Sequence, residues 1–86
     1  MAHLGGVYTC NDKFFAKIEA REGGSRFHIE GPRREDELRA TQDLTDIRAA
    51  ANGEATRLDG LRAMKLAAKR LDLNNLYGLI QPAGHR

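Results

Sequence analysis

Three short segments of alternating apolar and polar residues, followed by an amphipathic segment, place the strongest constraint on the fold of this chain. The alternation predicts strands over residues 7–10, 14–20 and 26–30, and the periodicity that follows predicts a helix from about 34 to 51. A three-stranded sheet buries only one face under a single helix, so its other face is predicted to stay open to a partner. The predicted fold class is α+β: a three-stranded antiparallel β-sheet packed on one α-helix, with a second α-helix towards the C-terminus.

The first predicted helix carries a buried stripe and a solvated acidic face. The predicted stripe consists of Leu38, Thr41, Leu44 and Ile47. Asp43 and Asp46 lie three residues apart on the same segment, and we expect them to be solvated carboxylates that pair with Arg39 and Arg48.

A second helix is predicted from residue 57 or 59 to residue 71. Its exposed basic face carries Arg62, Lys65 and Lys69, which either are simply solvated or contact phosphates. The apolar segment from Leu73 to Ile80 follows this helix. It either folds back over the core, docks on a protein partner or leads to a neighbouring domain.

Length and charge limit the organisation and the class of partner. A chain of 86 residues is predicted to be a single small domain, with a core at 5–53, the second helix at 54–72 and an apolar tail at 73–86. The net charge is +2, and residues 52–86 carry a net +3. This balance is not that of a strongly basic, non-specific nucleic-acid binder. No apolar run approaches the roughly 20 residues that span a bilayer, so no membrane partner is expected.

The residues needed for catalysis or for metal binding do not cluster in the sequence. The single cysteine, Cys10, rules out an internal disulfide, and His3, His28 and His85 are far apart along the chain. Cys10 and His28 would lie on the two strands that flank the central one, roughly 9–10 Å apart, which is too far for a thiol–imidazole pair. The chain is therefore predicted not to be an enzyme, and no cofactor, metal or small-molecule substrate is expected.

The predicted outer face of the sheet is the candidate site. Its members are Tyr8, Cys10, Phe15, Lys17, Glu19, Arg21, Arg26, His28 and Glu30. Exposed aromatic residues on a small sheet often mark a contact surface. Arginine and lysine on strands can reach base edges and phosphates in a DNA groove, whereas stacking of bases on Tyr8 or Phe15 would be typical of single-stranded RNA. The two glutamates oppose either use because they repel phosphates.

The order of these elements resembles the APETALA-type DNA-binding domain of ethylene-response factors. The resemblance covers residues 5–53. The residues that carry it are Gly6-Val7-Tyr8 through Ile18, Arg26-Phe27-His28-Ile29, and Ala40-Thr41-Gln42-Asp43 in the helix. The family implies a sheet inserted in the major groove of DNA, with strand arginines and tryptophans as contacts, and a transcription factor in the nucleus.

The match to the family's contact residues is partial. Tyr8 and Cys10 fall at positions where the family has arginines, and His28 replaces a tryptophan. Phe14 takes the place of another tryptophan, and the chain contains none. The matching pattern consists mostly of glycines and core hydrophobic residues, which report the fold more than the function.

Two functions remain open from the sequence. The first is a nucleic-acid-binding module, with double-stranded DNA contacted through the outer face of the sheet. Its predicted contact residues are Tyr8, Phe15, Lys17, Arg21, Arg26, His28, Arg33 and Arg34. The second is a non-catalytic protein-interaction or assembly module that uses the sheet face and the apolar C-terminal tail. The lone thiol and the family resemblance favour an intracellular, nuclear location.

Overall fold

The fold consists of three strands followed by two helices. The computed structural model describes the backbone of residues 4–80 and the side chains of residues 5–75. The strands are β1 (Leu4–Cys10), β2 (Lys13–Glu22) and β3 (Ser25–Glu30), and the helices are α1 (Glu37–Ala49) and α2 (Arg57–Ile80). The predicted α+β fold, with a three-stranded antiparallel sheet and two helices, is confirmed.

The sheet is a simple meander in the order β1-β2-β3. Asn11 and Asp12 connect β1 to β2 with φ angles of 53° and 63°, and Gly23 and Gly24 connect β2 to β3 with φ angles of 57° and 82°. Two central residues with positive φ suit the right-handed twist of an antiparallel hairpin, and asparagine, aspartate and glycine tolerate that conformation best. These turns fix the register, so Lys17 lies between Gly6 of β1 and Glu30 of β3.

The strands are longer than the sequence predicted, most of all at the start of β1. Gly5 and Gly6, which precede the predicted first strand, pair with Ile18 and Lys17 inside the sheet. A Cβ atom on Gly5 would lie 2.8 Å from Cγ1 of Ile18, so only glycine fits this position without displacing a core side chain.

Both helices cover the same face of the sheet, which we call the inner face. Helix α1 packs on β1 and β2, and α2 packs on β3 and α1. The buried core consists of Ala16, Ile18, Ile29, Leu44, Ile47, Leu61, Met64 and Ala68. No described helix packs on the opposite face, which we call the outer face, as the sequence predicted.

Helix α1 begins later than predicted, and its buried stripe is different. Asp36 is the N-cap and accepts a hydrogen bond from the Leu38 amide at 3.0 Å. Leu38 itself is 76% exposed, and Thr41 is also exposed, so the predicted stripe was wrong at these two positions. A repeat of three residues drifts around a helix of 3.6 residues per turn, and the buried side instead runs through Ala40 and Asp43.

Helix α2 continues to Ile80, well beyond the predicted end near residue 71. The segment from Leu73 to Ile80, predicted as a separate tail, is therefore part of this helix. Gly60 allows α2 to approach the end of α1 closely, because a Cβ atom there would lie 3.3 Å from Cβ of Ala51. A search of the described helices finds none that combines the length and apolarity needed to cross a bilayer.

Candidate functional site

The aromatic part of the outer face is less exposed than the sequence predicted. Phe15 is only 7% exposed, because the Tyr8 ring lies 6.1 Å from its ring centre on one side. The guanidinium carbon of Arg33 lies 4.0 Å from the same centre, in cation–π geometry. The prediction of Phe15 as an exposed stacking residue was therefore wrong, and Arg33 is held by this contact. Tyr8 remains 48% exposed.

A compensated network of charges occupies the centre of the outer face. His28 lies across from Glu19, and its Nδ1 atom is 3.0 Å from the Glu19 carboxylate. Its Nε2 atom is 2.6 Å from the carboxylate of Glu30. Lys17 lies 3.8 Å from Glu19, and Arg33 lies 3.5 Å from Glu30. Each carboxylate in the centre is thus matched by a cation, and the face presents little net charge there.

The ionisation of Glu30 reflects this network. Its hydrogen bond to His28 lowers the pKa of Glu30 below the ordinary glutamate value, while partial burial opposes that shift. Charge attraction from His28 lowers the pKa of Glu30 further. The hydrogen bond and the charge of Arg33 act in the same direction. Glu30 is therefore ionised at neutral pH, and a phosphate that approached His28 or Arg33 would have to displace it.

Two arginines at the hairpin end of the outer face are different. Arg21 and Arg26 are direct cross-strand partners, and both are exposed. Neither forms an ion pair with any residue in the described part of the chain. Like charges placed opposite one another destabilise a sheet. Among the described residues, the pair thus makes no salt bridge that would stabilise the fold, but two adjacent positive charges would suit an anionic ligand.

Arg34 has a structural position and not a surface one. Its guanidinium donates two hydrogen bonds to the Asp43 carboxylate, at 2.7 Å and 3.1 Å, and a third to the side-chain oxygen of Asn75 at 3.0 Å. Asp43 is only 3% exposed. Three of the five guanidinium N–H donors of Arg34 are thus engaged in the fold, and its side chain is only 12% exposed. The predicted pairing of Asp43 with Arg39 or Arg48 was wrong. This cluster instead joins the segment after β3 to both helices.

Cys10 and His28 lie apart on the outer face. Cys10 pairs with Lys13 at one end of β1, whereas His28 lies on β3, so β2 separates them. Within the described residues, no group of three or more histidine, cysteine or acidic side chains could hold a metal ion. His3 and His85 lie outside the described residues.

The basic residues of α2 lie away from the outer face. Arg62, Lys65 and Lys69 are exposed, as predicted, but their helix packs on the inner side of the sheet. Lys65 and Lys69 nevertheless border one groove together with His28 and Glu30, at the edge of the outer face. Comparison of the chain with protein families, with curated proteins and with solved structures finds no match.

Proposed function

We propose that this domain binds double-stranded DNA through the outer face of its sheet. The observation that carries the proposal is the cross-strand pair Arg21 and Arg26, which are exposed and lack carboxylate partners among the described residues. Tyr8 is half-exposed, and Lys17 lies 5.2 Å from its ring centre, next to the same uncovered surface.

The shape of the sheet supports the same partner. The major groove of DNA admits a β-ribbon, and arginine on a strand can bind the edge of guanine or a phosphate oxygen. The resemblance to the ethylene-response-factor domain adds the expectation that such a module acts in a nuclear transcription factor. The proposed contacts are therefore Arg21 and Arg26, with the half-exposed Tyr8 on the same face. Lys17 would have to leave Glu19 to join them, whereas Phe15 and Arg34 serve the fold.

Replacing both free arginines by alanine tests this proposal. In R21A/R26A, binding to a mixed-sequence duplex should weaken. The plot of the log of the binding constant against log salt should become shallower by about 1.8, since each phosphate contact contributes about 0.9 to the steepness of its slope. The matched control is R62A/R70A, which removes the same charge from exposed positions on α2. Equal losses in the two double variants, measured by fluorescence anisotropy, would show that only net charge matters and would contradict the proposal.

A protein partner at the outer face is the second candidate. The observation that favours it is the compensated centre, because Glu19 and Glu30 repel phosphates yet can pair with a mixed-charge protein surface. Leu66 and Leu73 on α2 are 51% and 52% exposed and offer further apolar area. If the parent chain binds DNA only negligibly and neither double variant changes that, this second function is favoured.

A further inference from the structure

A groove lies between β3 and α2, along the edge of the outer face. It is open to solvent and has a volume of about 690 Å³. We call it the β3–α2 groove. One wall is formed by residues 28–31 and Arg33, and the other by Lys65, Ala68, Lys69 and Asp72.

The β3 wall of the groove is an unpaired strand edge. The Gly31 amide donates to the Ala16 carbonyl at 2.9 Å, so these two residues are a hydrogen-bonded pair. Such pairs alternate along antiparallel strands, so Ile29 also bonds to β2, whereas the backbone groups of His28 and Glu30 point away from β2. The backbone amide and carbonyl of these two residues form no backbone hydrogen bond outside the sheet with other described residues.

The α2 wall carries two lysines and one carboxylate, that of Asp72, so its net charge is positive. Lys65 and Lys69 are one helical turn apart, exposed, and free of ion pairs within the described residues. Their rise along the helix is about 6 Å. Side chains on one face of a β-strand recur every 6.6 Å or so. The two lysines are therefore spaced like every second side chain of a strand that lies alongside α2. Carboxylates at those positions of the strand could pair with them. Ala68, which is only 3% exposed, lines the same wall.

From this edge and these charges we propose that the β3–α2 groove binds an extended acidic peptide segment of a partner protein by strand addition. The peptide lies antiparallel or parallel to β3 as a fourth strand and hydrogen-bonds to the backbone of His28 and Glu30. Its alternate side chains are aspartate or glutamate and pair with Lys65 and Lys69. Arg33 in the β3 wall already contacts the Glu30 carboxylate and the Phe15 ring. The two lysines therefore set the preference of the groove for negative charge.

A fluorescent pentapeptide of alternating glutamate and valine, acetylated and amidated at its ends, is the probe for this site. We expect saturable binding to the whole chain. Upon binding, the amides of His28 and Glu30 should gain protection from hydrogen exchange, while those of Phe27 and Ile29, already bonded within the sheet, should change little. Protection gained elsewhere without protection at His28 and Glu30 would overturn the proposal.

Backbone methylation of the peptide tests strand addition without altering the protein. Two versions of the peptide carry N-methyl groups on the two alternate sets of residues. Only one set directs its amides to β3, so one version should lose binding and the other should keep it. Loss in both versions, or in neither, would overturn strand addition.

Charge reversal on α2 tests the preference for acidic segments. We expect K65E/K69E to weaken peptide binding about tenfold or more, since two attractions become repulsions. The matched variant R62E/R70E makes the same charge change at positions on α2 that do not line the groove, and it should bind like the parent. Equal effects of the two variants would overturn the proposal.

A DNA duplex added as a competitor separates this site from the outer face. The peptide and the duplex should bind together, because the proposed DNA contacts Arg21 and Arg26 do not line the groove. Displacement of the peptide by DNA, with loss of DNA binding in K65E/K69E, would instead assign the groove lysines to phosphate contact and overturn the peptide proposal. R21A/R26A should leave peptide binding unchanged, so failure of one proposal is distinguishable from failure of the other.

Discussion

At the scale of single residues, charged pairs in this fold differ most in how far they are covered from water. The Arg34–Asp43 pair is the clearest case of a covered pair, because both side chains are almost fully buried, at 12% and 4% exposure. Removing one partner of such a covered ion pair strongly destabilises the fold, since the other charge is left buried without compensation.

Replacing Asp43 by asparagine should therefore lower the free energy of unfolding by about 3 kcal/mol or more. Urea denaturation provides the measurement. The double variant R34M/D43L removes both charges and fills the space with apolar groups, so it should be more stable than D43N. A loss below about 1 kcal/mol in D43N would show that the pair behaves like a surface ion pair.

The lowered pKa of Glu30 makes a prediction for acid stability. The unfolded chain protonates this carboxyl at a higher pH than the folded chain does, so the stabilisation is complete above the ordinary glutamate pKa and is lost as the pH falls below it. Between about pH 6 and about pH 3, the difference in unfolding free energy between the parent and E30Q should shrink towards zero. E54Q, at an exposed position outside any described ion pair, serves as the control. A difference that is independent of pH would contradict this role of Glu30.

At the scale of elements, strand pairing and helix packing depend on a few close approaches. The first residues of β1 lie against β2 where Gly5 leaves no room for a side chain, and Arg48 of α1 donates to the Gly5 carbonyl at 3.4 Å. The identity of this glycine follows from the position of Ile18 across the sheet, which composition alone does not reveal.

Substituting alanine at Gly5 should destabilise the domain by about 1–3 kcal/mol, the usual effect of overpacking a core. Thermal unfolding of the matched variant G6A should show no loss or a small gain, because a Cβ at Gly6 would have only Tyr8 at 3.9 Å nearby. Equal stabilities for G5A and G6A would show that the sheet relaxes around the added methyl group.

At the scale of the whole molecule, the alternation of apolar residues was enough to predict three strands, their faces and the uncovered outer face. Local periodicity could not predict the environment of Asp43, because the arginine that neutralises it comes from the segment after β3. The burial of Phe15 likewise depends on a residue distant in sequence. Arg33 follows the end of β3 and covers the Phe15 ring on β2. The uncovered face was thus predicted correctly, but tertiary contacts decided which of its charged side chains are paired.

The central claim is that DNA binds the outer face through Arg21 and Arg26, and an NMR titration of ¹⁵N-labelled protein with a mixed-sequence duplex tests it most directly. At low salt, we predict shifts at Tyr8, Lys17, Arg21 and Arg26 that diminish at higher salt, with little change at Lys65 and Lys69. An absence of shifts at high duplex concentration, or shifts confined to α2, would contradict the claim.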